Sequence, residues 1–562
     1  MKKPILSLLL LIVAITLSAA ERSNSMMRRA AMRSLHASTA KVTLSKPTLD
    51  VYNDGKQFAI VSRDDRFPAV LAYGMGNFDI EKAPDNVKWW FEAVQQSMDK
   101  AIKQNAPRRA DVAYTPVAPM MTTKWGQDSP FNDMCPRESG NEHDTESPRS
   151  PSGCVATAMA QIMNYQQYPP SVKFTGSCYL NGGEEIYDER EIQSTYSWPY
   201  LIAYGSYLPD GYTSMADVIT QDYTPLQAKR IATLLRDCGY AIGMSYTQDG
   251  SGASSYIAGS AFLDVFKYPQ QSVKYWDRIY YSDKEWMDLL QTEMLNNSPV
   301  LCGGFDSELK AGHAFVFHGM DAEGKVYVNW GWFGLYDGYY AIDLLTPSES
   351  DDFSYRQEVV TGIRPEALAT DVARSLFVTD SPYKFSYNSA TTELSYELVD
   401  FLYNLTYADF VGRLCVVIEN ESNPSETQLF DVLGEGERLS PFWGLKPQKK
   451  LLGKETFAPG TYRIYFASKA DDEESWQYAR TVGGPIYYEA TVGADGKMTI
   501  SETPTYISGS EVPSAIREVS KPTVNTTSVP RYFDLQGREV NGSTKGLIIR
   551  RQGDEVKKVL VR

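Results

Sequence analysis

Apolar positions along the chain switch between helical and alternating spacing, and the clearest helical segment begins at Cys154. Five apolar residues of that segment share one face: Val155, Ala158, Met159, Ile162 and Met163. Ser152 can cap the start of this helix, and Pro169-Pro170 ends the run. The pattern predicts a buried helix with Cys154 in its first turn, where free backbone N–H groups favour an anion and lower the pKa of a thiol.

Ahead of this helix, three patterned segments predict a small α+β domain over residues 21–111. Met26–Ala37 is a basic candidate helix, Val51–Ser62 contains two strands joined by an Asn-Asp-Gly turn, and Val87–Ile102 has an apolar helical stripe. Pro107–Ala110 then interrupts the pattern. This interruption is a candidate linker and a place for proteolytic cleavage.

Helix and strand signals alternate over residues 112–365. Further helices are predicted at Pro225–Cys238, Tyr256–Phe266 and Asp283–Asn296, and strands at Val300–Cys302, Ala314–His318, Lys325–Trp330 and Tyr339–Asp343. Residues 366–508 contain short alternating segments separated by turns, which indicate a β-sandwich. Residues 509–562 combine a Ser, Pro and Thr-rich linker with a hairpin-rich tail. The predicted fold class is therefore α+β.

Composition and the N-terminus restrict where the protein works and what it binds. The net charge of -15 and the pI near 5.0 argue against nucleic acid and against an anionic membrane surface as partners. Lys2 and Lys3 precede an apolar run from Ile5 to Leu17, and small residues follow it up to Ala20. Residues 1–20 are thus predicted to be a signal peptide. With no other membrane span expected, the mature protein is predicted to be secreted or held at the cell surface.

Six cysteines are scattered along the chain without CxxC or zinc-type spacing. If Cys154 stays free, the other five cannot all pair with one another. We expect a fold that does not depend on disulfides. One or two disulfide bridges are compatible with this expectation. Neither a metal nor an organic cofactor is expected.

Four histidines are available as a base for the thiol: His36, His143, His313 and His318. His313 opens a predicted strand beside Gly312, a position at the edge of a cleft, whereas His318 faces the other side of that strand and is predicted to be structural. The next strand, Val326–Trp332, is expected to pair with it antiparallel. A cysteine at a helix start, a distant histidine opening a strand and an Asn/Trp cluster on the next strand form the arrangement of thiol acyl-transfer enzymes.

The segments Gly153–Met163, Gly312–Val316 and Val328–Trp332 resemble the streptopain family of papain-like cysteine peptidases, in particular its Bacteroidetes members. The resemblance spans residues 112–365 and implies a papain-like peptidase domain there. It also implies that residues 21–111 form an inhibitory prodomain, followed by the β-sandwich accessory domain at 366–508. Protein or peptide substrates, and the chain's own prodomain as inhibitor, are the implied partners.

The resemblance also implies roles for individual residues. Cys154 and His313 would be catalytic, and Gln127 would donate to the oxyanion, a role suited to a neutral side-chain amide. Trp330 falls where other papain-like enzymes place the asparagine that orients the imidazole, so we rank it above Asn329 for that role. The residues expected to line the substrate cleft are Gly153, Ser254, Ser255, Gly312 and Trp332, together with the loop at 306–311.

Two other functions fit parts of the sequence. A surface adhesin with an inert papain-like domain would rely on the β-sandwich, although the intact Cys154, His313 and Gln127 set argues against it. A transglutaminase would use the same thiol and imidazole with an amine acceptor. The last residues resemble C-terminal sorting modules of secreted Bacteroidetes proteins, which implies extracellular release or surface attachment.

Overall fold

The computed structural model describes residues 20–109, 112–137, 139–180, 186–202, 206–207, 219–220, 223–305, 312–345, 356–369, 371, 375–507, 531–533, 539–540, 546–552 and 555–561. Residues 1–19 of the predicted signal peptide, the predicted cleft loop at 306–311 and the predicted linker at 509–530 lie outside the described residues. None of the helices in the described ranges combines the length and the apolarity needed to cross a membrane.

Residues 20–109, the leading region, contain two helices and a four-stranded antiparallel meander. The elements are α1 (Asn24–Ser34), β1 (Lys41–Ser45), β2 (Leu49–Asn53), β3 (Gln57–Ser62), β4 (Val70–Met75) and α2 (Asp85–Lys103). The predicted hairpin at Val51–Ser62 is confirmed, with Asn53 opposite Phe58. Both predicted helices are also confirmed, and each begins two residues earlier than the spacing alone suggested.

The central region, residues 112–371, has four helices and eleven strands within its described parts. They are α3 (Cys154–Gln166), β5 (Ser171–Leu180), β6 (Ile186–Thr195), β7 (Ser206–Tyr207), β8 (Ile219–Thr220), α4 (Pro225–Ala241), β9 (Ser245–Tyr246), α5 (Ser255–Asp264), β10 (Lys274–Asp277), α6 (Asp283–Leu295), β11 (Val300–Phe305), β12 (Gly312–Met320), β13 (Val326–Asn329), β14 (Gly338–Tyr340) and β15 (Arg356–Thr361). Helices α4 and α6 begin with capping boxes at Thr224 and Ser282. The predicted antiparallel pairing of the His313 strand with the next strand is confirmed.

One sheet joins the leading and central regions. Its ten described strands follow the order β1-β2-β3-β4-β14-β13-β12-β11-β15-β10. The junction is the antiparallel pair β4–β14, in which Tyr339 lies opposite Tyr73 and their rings stack with centroids 5.0 Å apart. The leading region is therefore built into the sheet of the central region through backbone hydrogen bonds.

The two faces of this sheet cover different cores. Ala314 and Val316 of β12 face a core that contains α3, α4 and α5. Phe315 and Phe317 face the opposite core, which contains α2 and α6. Because successive side chains of β12 point to opposite faces, α3, which begins at Cys154, and α2 of the leading region lie on opposite sides of this strand.

Residues 375–507, the accessory region, are formed of strands. They are β16 (Phe377–Thr379), β17 (Lys384–Asn388), β18 (Glu393–Leu398), β19 (Leu402–Asn404), β20 (Phe410–Asn420), β21 (Gln428–Leu439), β22 (Gly444–Leu445), β23 (Gln448–Lys454), β24 (Gly460–Ala470), β25 (Gln477–Tyr478), β26 (Arg480–Thr481), β27 (Gly484–Val492), β28 (Met498–Ile500) and β29 (Thr505–Tyr506). Eleven of these strands form one sheet, and β17, β18 and β23 form a second. Side chains from both sheets share one core, as in a sandwich.

The tail forms a separate small antiparallel sheet. Its described strands are β30 (Arg531–Phe533), β31 (Glu539–Val540), β32 (Gly546–Gln552) and β33 (Glu555–Val561). They pair in the order β31-β30-β32-β33, which is consistent with the hairpins expected from their alternating sequence.

Candidate active site

Cys154 is the first residue of α3, and Gly153 is its N-cap with a φ of +85°. That backbone conformation favours glycine, and a Cβ atom at this position would also collide with Met244. The expectation that Ser152 caps the helix is wrong. Its hydroxyl lies 3.1 Å from the Thr157 Oγ1 instead, since Gly153 separates Ser152 from the helix. The sharp turn at Gly153 is what sets Cys154 at the helix start.

The predicted low pKa of the Cys154 thiol is also wrong in this structure. Partial burial raises its pKa above the ordinary value, because loss of surrounding water disfavours the thiolate. Backbone N–H groups of Ala314, Val155 and Cys154 itself lower it by less. The Ala314 N–H donates to the Cys154 Sγ at 3.4 Å. The helix start therefore provides donors for an anion, but burial dominates.

His313 is the second residue of β12 and is partly buried. It lies opposite Gly304 of β11 and directly precedes Ala314, whose N–H reaches the Cys154 sulfur. The indole of Trp89, from α2, occupies the space beside Gly304 and lies 6.0 Å from the ring of Phe315. The structure thus brings the start of β12 to Cys154 on one side and to α2 on the other.

His318 has a different environment at the far end of the same strand. It is 1% exposed, and its Nδ1 accepts a hydrogen bond from the Met121 N–H at 3.2 Å. Burial lowers its pKa to about 3, so the ring is neutral at physiological pH. These contacts suit a structural histidine.

Asn329, the last residue of β13, and Trp330, which follows it, face opposite sides of the sheet, as alternation predicts. The Trp330 ring packs between Phe315 and Tyr340, at centroid distances of 4.8 and 5.1 Å. Asn329 points towards α3, where its amide exchanges two hydrogen bonds with the amide of Gln161, at 3.0 and 3.1 Å. Asn329 therefore fixes β13 to the helix of Cys154.

Gln127 lies next to the start of α3 and is 6% exposed. Its carbonyl accepts a hydrogen bond from the Ser152 N–H at 2.9 Å, two residues before Cys154. Just before it, the Trp125 indole N–H donates to the Ile202 carbonyl at 3.1 Å, and Gly126 lies against the Phe333 ring. Residue 127 is thus held close to the thiol by a backbone contact.

The predicted cleft residues differ in exposure. Gly312 is exposed at the first position of β12, and Trp332 is partly buried. Ser254 is the exposed N-cap of α5, whereas Ser255 is buried, with its hydroxyl beside Gly303 and the Glu358 side chain. In the loop before α5, the Ser251 hydroxyl donates to the Pro151 carbonyl at 2.7 Å. This loop is therefore tied to the chain that enters α3.

Three polar residues near the site were missed from the sequence. Gln161 pairs with Asn329, the Asp337 carboxylate accepts the Trp330 N–H at 3.0 Å, and the Asn86 amide donates to the Trp330 carbonyl at 2.9 Å. Burial raises the pKa of Asp337 to about 7. For Gln161, the available signal was an amide within a buried helix. The other two contacts depend on chain paths that spacing does not reveal.

Two family profiles match the chain. Residues 125–340 match the Peptidase C10 family, and residues 15–98 match the Spi protease inhibitor. A solved fragment of Prevotella intermedia prointerpain A is 30% identical, with 58% of this chain and 99% of the fragment covered at a TM-score of 0.49. The chain belongs to the peptidase C10 family. Its central region thus matches a peptidase family, and its leading region matches a family of protease inhibitors.

Other known proteins are similar to about half of the chain. The thiol protease/hemagglutinin PrtT of Porphyromonas gingivalis is 31% identical over 344 residues, which cover 56% of this chain and 37% of that protein. The chain thus spans little more than a third of that relative. Streptopain of Streptococcus pyogenes is 28% identical over 345 residues, which cover 57% of this chain and 82% of that protein. Active interpain A of Prevotella intermedia is 32% identical, covering 46% and 98% with a TM-score of 0.36.

Proposed function

We propose that this C10 peptidase is the zymogen of a secreted cysteine endopeptidase in which Cys154 is the nucleophile and His313 the acid and base. The observation that supports the proposal is the meeting of two elements. Cys154 lies at the N-terminus of α3, and the N–H of Ala314, next to His313, reaches its sulfur at 3.4 Å. A thiol and an imidazole on facing elements suit acyl transfer.

The reaction follows from the roles of these groups. His313 takes the proton of the Cys154 thiol as the sulfur attacks the carbonyl carbon of the peptide bond, while the Gln127 amide and the Cys154 N–H stabilise the oxyanion. The C–N bond breaks as His313 gives its proton to the leaving amine, and a thioester forms. His313 then takes a proton from water, whose oxygen attacks the thioester and releases the acid and the thiol.

Latency is supported by the contacts of the leading region. Strand β4 pairs with β14, and α2 packs on the face of β12 that carries Phe315. Cleavage near residues 103–111 would release this region. In the structure Arg109 is held by Asp283 at 2.6 Å and Asp343 at 2.8 Å, so we expect opening of this segment before it is cut.

We place cleavage of the signal peptide after residue 20 and release or surface attachment through residues 509–562.

An irreversible peptidyl thiol inhibitor and an unfolded protein substrate test the function. We expect the processed chain to cleave the substrate and to carry one label on Cys154, found by peptide mass spectrometry. The Cys154→Ala variant should show neither, and Cys415→Ala, which removes a buried cysteine of the accessory region, should show both. Incorporation of an amine without hydrolysis would favour a transglutaminase, and absence of labelling would leave only a binding role.

The same Cys154→Ala chain tests self-processing. Incubated alone, it should stay intact while the wild type is cut between residues 103 and 111. Cleavage of the two chains at equal rates would contradict self-processing. The intact mass of the Cys154→Ala protein collected from culture medium should be that of a chain that starts at residue 21. A mass that still includes residues 1–20 would contradict the predicted signal peptide.

A further inference from the structure

The accessory region packs directly on helix α5 through Tyr407. The Tyr407 hydroxyl donates to the Tyr256 carbonyl at 2.7 Å, in the first turn of α5. Its ring fills the space that a Cβ atom at Gly259 would need, so the two surfaces meet without a gap. Tyr407 also joins the hydrophobic core of the central region, together with Phe442 and Leu405. The contact is thus an extension of that core.

Phe442 extends this contact to a buried carboxyl group. Its ring lies 5.4 Å from that of Tyr256, 5.3 Å from that of Tyr407 and 5.7 Å from that of Tyr275. The Tyr275 hydroxyl donates to the Glu358 carboxylate, which lies beside Ser255 in the first turn of α5. The accessory region therefore contacts α5 directly and also through Tyr275.

From α5 the contacts continue to the nucleophile. The loop that precedes the helix is held by the hydrogen bond from the Ser251 hydroxyl to the Pro151 carbonyl. The Ser251 carbonyl also lies against Gly153, next to Cys154. A shift of α5 would move this loop relative to the thiol, because the loop connects the two.

We propose that Tyr407 and Phe442 are positioning residues for substrate binding, and that the accessory region holds α5 and the loop at 251–255 in the geometry that the substrate cleft requires. This inference rests on the proposed function. It assigns to the accessory region a part in substrate binding that acts through α5, without contact to the reacting atoms.

A separate set of contacts keeps the two regions together, which makes the proposal testable. Arg480 pairs with Glu285 at 2.5 Å, donates to the Tyr280 carbonyl at 2.8 Å and lies 4.2 Å over the ring of Tyr281. The Gly483 N–H donates to the Ile279 carbonyl at 2.7 Å. Loss of the Tyr407 contact should therefore leave the regions joined.

The test uses the enzyme expressed as the full chain and then processed, and compares the wild type with the variants Tyr407→Phe, Tyr407→Ala and Phe442→Ala. Trp443→Ala, whose residue is 69% exposed, is the control. Three quantities are measured: kcat and KM for a fluorogenic peptide, the rate at which iodoacetamide alkylates Cys154, and Tm. For both alanine variants of the interface we expect KM to rise about tenfold, since small misplacements of binding groups are costly. Tyr407→Phe keeps the ring and should raise KM about threefold, the value of one hydrogen bond.

The remaining readouts separate positioning from damage to the fold. In the interface variants, kcat and the alkylation rate should stay within about twofold of wild type, as uniform binding loss predicts. Trp443→Ala should match wild type throughout. An unchanged KM in Tyr407→Ala would overturn the proposal, and so would an equal fall of alkylation rate and kcat with a lowered Tm. A wild-type chain that is alkylated but cleaves no peptide would instead contradict the proposed function.

Discussion

Gln127 has the most specific proposed role among the residues around the thiol. Its carbonyl accepts a hydrogen bond from the Ser152 N–H, two residues before Cys154, and we propose that its side-chain amide donates to the oxyanion. Gln127→Ala should lower kcat about 100-fold with little change in KM, since the donor acts on charge that develops in the transition state. Steady-state kinetics of the processed chain measure this effect.

The control for this change is Gln166, at the C-terminal end of the helix α3 that Cys154 begins. Gln166→Ala removes an amide whose hydrogen bond goes to the Asn297 carbonyl, far from Cys154 in sequence, and should keep wild-type kinetics. Alkylation of Cys154 by iodoacetamide should be equal in all three proteins, because no oxyanion forms in that reaction. A rise in KM at constant kcat for Gln127→Ala would instead assign Gln127 to ground-state binding.

Asp337 makes stability depend on pH. Burial raises its pKa to about 7 in the folded chain, so folding favours the protonated carboxyl. Its contribution to stability is therefore complete below the unfolded pKa of about 4 and is lost as pH rises towards 7. Asp337→Asn stays neutral. We expect its free energy of unfolding, relative to the parent, to rise by about 3 kcal/mol between pH 4 and pH 8.

Urea unfolding in a Cys154→Ala background measures this change without self-processing. Asp264→Asn, a change at an exposed position, should follow the parent at every pH. A constant difference between Asp337→Asn and the parent across the pH range would show that the carboxyl does not titrate on folding.

At the scale of elements, we expect helix α2 to contribute to latency through Trp89. Its indole lies beside Gly304 and close to Phe315, next to the strand position of His313. Trp89→Ala should speed conversion of the zymogen at least about tenfold, because loss of a buried tryptophan destabilises packing by about 3–5 kcal/mol. Gel analysis of the processing time course checks this result. Glu92→Ala, on the exposed side of α2, should process like wild type.

The helices and the hairpins were predictable because their signals are local. The apolar stripe of α3, the Asn-Asp-Gly turn before Gln57 and the capping box at Thr224 each depend on a few neighbouring residues. The pairing of β4 with β14 was not predictable, since about 265 residues separate strands that have no shared pattern. The prediction of a lowered Cys154 pKa was wrong for a similar reason, because the burial of the thiol depends on distant segments of the chain.

The site shows the same division. Cys154 was proposed from its place at a helix start and His313 from its place at a strand start, whereas Gln127 was proposed from the resemblance alone. The Asn329 orientation followed from alternation, but its partner Gln161 looked like part of an ordinary helix. Asp337 and Asn86, which hold the backbone of Trp330 from two sides, lie on segments whose approach only the tertiary structure defines. Roles carried by motifs were accessible, and roles created by packing were not.

For the whole molecule, the shared sheet makes release of the leading region a change in architecture. Strand β14 has β13 on one side and β4 on the other, and removal of β4 would leave it an edge strand with unpaired backbone groups. The stacked pair Tyr73–Tyr339 would be lost at the same place. The proposed processing would therefore replace the β4–β14 strand pair by an unpaired edge at β14.

Hydrogen exchange measured by mass spectrometry can detect this edge. Amides of Gly338–Tyr340 that bond to β4 in the Cys154→Ala zymogen should exchange at least about tenfold faster in the processed, inhibitor-labelled enzyme, because local opening then costs less. Amides of β11 serve as the internal control, since its neighbours β12 and β15 both remain after processing. Equal exchange of β14 in the two forms would mean that the leading region stays paired after cleavage, and latency would then have to be relieved by movement of α2 alone.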